Sequence, residues 1–216
     1  MSEIIVHGIP GSPFLRAALA TLEEKKAPYR LRAWAPGEHR GEAYRAMHPF
    51  SRIPVIQRGD FTLYETQAIL RYIDAVCEGP ALQPKAPEAA ARMNQLLGIN
   101  DWYFFPQVGT TIVFQRIIGP RFLGLQPDAA VIAAAQPNAE RCVRVIDGLL
   151  GDQTYLAGEA ISLADLVLYP QLYYFGQTPE GTALLDGTKF SGWMRRMAER
   201  SSMTATLPPE ALRQAA

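Results

Sequence analysis

The sequence predicts a small α/β domain of order βαβαββα followed by an all-helical domain. Strand-like and helix-like patterns alternate over the first eighty or so residues. Beyond the proline-rich stretch "CEGPALQPKAPEAA" the strand patterns vanish and only helical ones remain. A chain of 216 residues is long enough to bury a core in each of two domains.

Each element has its own reason. "EIIVHG" is a strand-like apolar run, and "PFLRAALATLEEKK" repeats Leu15, Ala18, Leu19 and Leu22 on one helical face. "YRLRAW" alternates as a strand does, and "GEAYRAMH" is a short helix. "PVIQRGDFTLYE" reads as two strands about a Gly59-Asp60 turn. "TQAILRYIDAV" closes the first domain with Ile69, Tyr72, Ile73 and Val76 at helical spacing. The expected boundaries are 1–78 for the α/β domain, 79–88 for the linker and 89–216 for the helical domain. Within the latter, helices are expected up to Phe114, from Pro127 to Leu150, and near Ser162 and Phe190. "SSMTATLPPEALRQAA" reads as a loosely held tail.

Composition narrows the function classes. Lys and Arg together number 21, as do Asp and Glu, so the balance lacks the basic excess that nucleic acid or an anionic membrane surface selects. The start "MSEIIVHGIPG" carries an acidic residue where a signal peptide has a cationic one, and no apolar run approaches a membrane span. The expectation is a cytoplasmic protein. Cys77 and Cys142 stand far apart with no CxxC and no His/Cys cluster, so no disulfide framework, redox pair or metal site is expected.

Four places carry candidate chemistry, each with a structural alternative. In "GIPGSPFLR", Ser12 before Pro13 fits a helix N-cap with proline at the first helical position. The same hydroxyl, beside unpaired helix N–H groups, suits stabilisation of an anion such as a thiolate. In "GEHRGEA", His39 and Arg40 are either a solvated loop or a carboxylate-binding pair. In "HPFSRIPVI", Pro54 stands where a strand begins, a place where proline marks an edge, a strand start or a special turn. A cis bond there would turn the N–H and C=O of Ile53 toward an extended peptide. In "LYETQAILRYI", Glu65 and Thr66 either cap a helix or read the ammonium and carboxylate of an α-amino acid.

Order and spacing of these stretches resemble those of the cytosolic glutathione transferases over nearly the whole chain. "HPFSRIPVIQRGDFTLYETQAILRYI" is similar to that family's "NPxGxIPxLxDGDxxLxESxAIxxYI", and "GEHR" resembles the "GEHK" of its plant phi-type members. The resemblance implies a thioredoxin-like first domain, a cis Pro54, and an Ile53 backbone paired with the cysteinyl part of glutathione. It implies that Glu65 and Thr66 hold the γ-glutamyl end. His39, Arg40 and Arg52 would surround the glycine carboxylate as cations, and Ser12 would face the sulfur. "GEAISLADLVLYP" resembles the family's "TxAD" segment, with Ser162 and Asp165 as a structural capping box.

Departures from the pattern bound the class. His48 replaces the usual asparagine, Ser51 the usual glycine, Arg52 the usual glutamine or lysine, and Thr66 the usual serine. His7 ends the first strand where tyrosine-using members have tyrosine, and Ser12 stands where others have cysteine. The expected activity is a serine-type transferase that conjugates glutathione, its co-substrate, to a small hydrophobic electrophile in a detoxifying role. Isomerase, dehalogenase or peroxidase chemistry on glutathione is the alternative, as is a non-catalytic glutathione-binding protein. Phe14, Tyr103 and Phe104 are the candidate lining for the electrophile, although an aromatic helical stripe such as "NDWYFF" also serves as core. No metal is expected, and a homodimer is implied by the resemblance alone.

Overall fold

The computed structural model describes residues 3–213. It divides into two compact units. One runs to Gln83 and takes in Arg200–Glu210, and the other spans Pro84–Glu199.

The first unit is built on a four-stranded sheet. In chain order it holds β1 (Ile4–Gly8), α1 (Pro13–Glu24), β2 (Tyr29–Ala33), a 3-10 turn (Glu38–Arg40), α2 (Glu42–Arg45), β3 (Val55–Arg58), β4 (Phe61–Tyr64) and α3 (Thr66–Val76). The sheet order is β2-β1-β3-β4, with β1 parallel to β2 and antiparallel to β3, and β3 antiparallel to β4. This is the expected βαβαββα.

Helix α1 is buried on more than the predicted face. Besides Leu15, Ala18, Leu19 and Leu22, its Arg16, Ala17, Ala20 and Thr21 are shielded from solvent. The extra cover is α10 (Ser201–Ala205), which packs on α1 and receives a hydrogen bond from Arg16 Nη2 to the Met203 carbonyl at 3.1 Å. Arg200 adds a 2.7 Å ion pair to Glu24, and Ser202 Oγ donates to the same carboxylate. The loose tail expected from Ser201 is therefore corrected: Met203 is 1% exposed and its segment is pinned by charge. The proline-rich stretch is pinned as well. Asp74 Oδ1 accepts from Lys25 Nζ and from the Leu82 N–H, both at 3.0 Å, and Leu82 is fully buried.

A polar chain crosses this sheet from edge to edge. Trp34 Nε1 donates to His7 Nδ1 at 3.3 Å, His7 Nε2 meets Gln57 Oε1 at 2.9 Å, and Gln57 Nε2 donates to Thr62 Oγ1 at 3.4 Å. An indole N–H only donates, so His7 must accept at Nδ1 and carry its proton on Nε2.

The second unit is helical: α4 (Pro87–Ile99), a wide-turned helical stretch (Asn100–Ile118), α5 (Gly119–Leu123), α6 (Ala129–Leu150), α7 (Leu163–Phe175), α8 (Pro179–Leu185) and α9 (Phe190–Ala198). Helix α7, "LADLVLYPQLYYF", is apolar nearly all round and is buried over almost its whole length, as such a helix must be. The wide-turned stretch buries Asn100, Phe104, Val108, the pair Ile112 and Val113, and Ile117. Burial thus recurs every four to five residues, which suits turns wider than those of an α-helix.

Candidate functional site

Strand register brings the four predicted stretches of the first unit together. Val55, the first residue of β3, is opposite His7 in β1 and Tyr64 in β4. Gly8 at the end of β1 is opposite Ala33 at the end of β2. The loop carrying Ser12, the turn carrying His39 and Arg40, the Arg52–Pro54 approach and the Glu65–Thr66 junction therefore all lie at one end of the sheet. It is the end where parallel β1 and β2 finish, the customary place for a ligand on an open sheet with parallel strands.

Ser12 does cap α1. Its Oγ accepts from the Leu15 N–H at 3.3 Å, and Pro13 opens the helix. Capping uses the oxygen as acceptor and leaves the hydroxyl proton available to donate, so a cap and an anion donor coexist in one group. Ser12 and Phe14 are half-buried.

The turn after β2 is fixed by Glu38, whose Oε2 accepts from the Ala35 N–H at 2.7 Å. It presents His39 and Arg40. The His39 ring lies edge-on to Tyr44 at 6.4 Å, and its Nδ1 is buried without a hydrogen-bond partner. Burial, then the charges of Arg40 and Arg52, hold its pKa below the usual 6.5. This corrects one expectation: at neutral pH His39 is an uncharged donor, and the positive charge comes from Arg40 and Arg52.

Ahead of β3, Ser51 has φ 51°, a conformation glycine adopts without strain, which accounts for glycine in the family pattern. Arg52 is exposed, the Ile53–Pro54 bond is cis, and Pro54 is buried while the ladder begins only at Val55. After β4, Glu65 has φ 71° and ψ 113° and gives α3 no side-chain cap. A non-glycine residue at such a φ is strained by about 1–3 kcal/mol, and strain of this kind gathers at functional sites. Thr66 follows as the first residue of α3.

Sequence reasoning noted His48 only as a departure. It is 1% exposed, stacked on Tyr64 at 4.5 Å, and feels the charges of both Glu65 and Arg52. The signal that could have found it is its place in the "HPFSRIP" stretch.

In the helical unit Asp165 is fully buried and accepts four hydrogen bonds. They come from the N–H of Ser162 and of Leu156, both at 2.9 Å, and from Ser162 Oγ and Trp193 Nε1, both at 2.8 Å. The reach back to the Ser162 N–H is the expected half of a capping box. Burial pushes the Asp165 carboxyl up, and the four donors pull it back. Tyr103 is well exposed on the wide-turned stretch. Phe104 is corrected: it has no exposed surface and packs edge-on against Phe175 at 5.8 Å, so it belongs to the core of its unit. Among the described residues no group of His, Cys, Asp and Glu is placed to hold a metal ion.

A mixed sheet of this order, followed by an all-helical unit, defines a thioredoxin-like domain joined to a helical one. The family description "Glutathione S-transferase, N-terminal domain" matches residues 6–81, and "Glutathione S-transferase, C-terminal domain" matches 105–201. The chain is 30% identical to glutathione S-transferase 3 of Zea mays over 223 residues, 97% of each chain. Its structure is similar to that of glutathione transferase F7 from Populus trichocarpa, with a TM-score of 0.84, 25% identity, and coverage of 94% of this chain and 97% of that one. It is similar too to the theta class glutathione S-transferase of Xanthomonas axonopodis pv. citri with glutathione bound, with a TM-score of 0.82, 25% identity, and coverage of 97% and 99%. The chain belongs to the glutathione S-transferase family and is an enzyme of that family.

Proposed function

We propose that the protein conjugates the thiolate of glutathione to a small hydrophobic electrophile. The observation that carries this reading is the strand register, which gathers Ser12, His39, Arg40, Arg52, Ile53, Glu65 and Thr66 at one end of one sheet. Glutathione offers an ammonium with a carboxylate at one end, a second carboxylate at the other and a thiol between. Glu65 accepts from the ammonium while the Thr66 hydroxyl and the α3 N-terminus take the adjacent carboxylate. Arg40 and Arg52, with neutral His39, take the glycine carboxylate. The Ile53 backbone pairs with the cysteinyl peptide.

A free thiol of pKa about 8.5 is mostly protonated at pH 7, so the reaction needs its anion stabilised. The Ser12 O–H and the N-terminal end of α1 supply donors of that kind. Sulfur then bonds to the electrophilic carbon as the leaving group departs, chloride in the case of a chloronitrobenzene, and Phe14, two residues after Ser12, is the apolar side chain offered to it. In this reading residues 1–78 are the glutathione domain, 79–88 the connection and 89–216 the helical domain, whose Arg200–Glu210 segment packs with the first. A cytoplasmic location, a role in detoxification and a homodimer belong to it through the family alone.

The test pairs calorimetric titration of glutathione with a rate measurement on a chromogenic chloronitrobenzene, in wild type and Ser12→Ala. Wild type binds saturably and turns over. Ser12→Ala binds nearly as well and reacts slower by about one to two orders of magnitude, the value of one hydrogen bond to a charge. A wild type with no saturable binding refutes the reading. A folded Ser12→Ala as fast as wild type returns Ser12 to the role of a cap.

A further inference from the structure

His48 is a histidine where the family pattern has asparagine, and its surroundings are closed on every side. Its N–H donates to the Tyr44 carbonyl and its carbonyl accepts from the Ser51 N–H, both at 2.9 Å, so its backbone is held at two points. Its ring stacks on Tyr64 at 4.5 Å and 28°, with Phe50 edge-on at 6.2 Å. Nδ1 is buried and meets no hydrogen-bond partner. Tyr64 is followed directly by Glu65, the residue with the strained backbone.

We propose that His48 is a positioning residue: the uncharged ring, stacked under Tyr64, leaves the Glu65 carboxylate to the ligand ammonium, and a proton on the ring weakens glutathione binding. The inference rests on the assignment of Glu65 to the γ-glutamyl end. Two charged groups act on the ring, Glu65 and Arg52, and the Tyr64 and Phe50 rings pack against it. Burial, the largest influence, lowers the His48 pKa from 6.5; Glu65 opposes that shift and Arg52 reinforces it. The ring is therefore neutral at pH 7. In acid the imidazolium draws the Glu65 carboxylate to itself and repels the incoming ammonium. Coupling is reciprocal, so a bound ammonium must also make His48 harder to protonate.

The test measures glutathione affinity by calorimetry at pH 7 and pH 5.5 in wild type, His48→Asn and His48→Gln, with melting temperatures alongside. The ionisations of free glutathione lie outside that window, and a lowered pKa of the bound thiol is common to all three proteins. His39 titrates in all three proteins and drops out of the comparison. Wild type should lose about three- to tenfold more affinity on acidification than either variant, the scale of one partly screened charge pair. In wild type alone, the imidazole C–H resonance of His48 should titrate at lower pH when glutathione is bound. Parallel affinity profiles, an equal loss at both pH values, or an unmoved resonance overturns the proposal and leaves the glutathione site standing. A wild type that binds no glutathione at either pH overturns both.

Discussion

Asp165→Ala should destabilise the helical unit far more than a surface cap would. A helix N-cap is worth about 1 kcal/mol. Here one carboxylate answers four donors, three of them the N–H groups of Leu156, Ser162 and Trp193, in a site with no exposed surface. A buried donor left unpaired costs about 1–3 kcal/mol. The losses overlap because the vacated space can admit water, so the expected total is about 3–5 kcal/mol. In a protein of this size that lowers the melting temperature by about 6–20 °C. Asp165→Asn keeps the shape but turns an N–H₂ toward a cluster of donors, and should fall between wild type and alanine. The assay is thermal unfolding followed at 222 nm, with Trp193→Phe and the double variant to close a cycle. Trp193→Phe removes one of the four bonds, so the double variant should be less destabilised than the two singles added together. A melting temperature of Asp165→Ala within 2 °C of wild type, or full additivity with Trp193→Phe, refutes the reasoning. Glutathione affinity at a temperature where the variant is folded should be unchanged.

Glu65→Gly should separate strain from recognition: glycine adopts φ 71° freely, so the melting temperature holds or rises, while glutathione affinity falls tenfold or more. Intact affinity in that variant removes Glu65 from the site. Burial holds His7, His39 and His48 below 6.5, so as pH falls the unfolded chain binds protons first. Stability is full above pH 6.5 and declines below it, and a melting temperature flat from pH 7.5 to 5.5 contradicts this. Glutathione ethyl ester, which lacks the glycine carboxylate, should bind more weakly than the acid, with the gap narrowing in salt because Arg52 is exposed. Equal binding of acid and ester would return Arg40 and Arg52 to the solvated surface.

The strands and helices of the first unit were legible because their signals are local. Ser12-Pro13 announces a helix start, alternation announces β2, and Gly59-Asp60 separates β3 from β4. The common position of the candidate residues was legible for a related reason. These residues sit where strands end and helices begin, positions that turn and cap chemistry mark in the sequence, and register then carries them to one end of the sheet. What stayed hidden depends on partners far along the chain. The tail from Ser201 looked loose because nothing near it says that Glu24 waits 176 residues away for Arg200. Tyr103 and Phe104 are neighbours in sequence, and only the packing of their helical stretch on α7 decides that one ring meets solvent and the other meets Phe175.

Charge state was the least legible property. His39 reads as a cation beside Arg40 in "GEHR", and the fold makes it neutral by covering it next to two arginines. His7 read only as a missing tyrosine, yet it is the middle of a polar chain that crosses the sheet from Trp34 to Thr62 and fixes its own tautomer. A histidine's proton is decided by what covers it and by which charges face it, and both are supplied by other elements of the fold. The three histidines of this chain all lie in the first unit, and all are held neutral by burial. At neutral pH the positive charge at that end of the sheet therefore rests on arginines, whose protonation does not vary with pH, so acid sensitivity of glutathione binding can enter through His39 and His48, besides the bound thiol itself. Their expected effects are opposite in sign: a proton on His39 favours a carboxylate, and one on His48 competes for Glu65. The affinity of wild type alone thus understates each of them, which is why the comparison with His48→Asn is the decisive one.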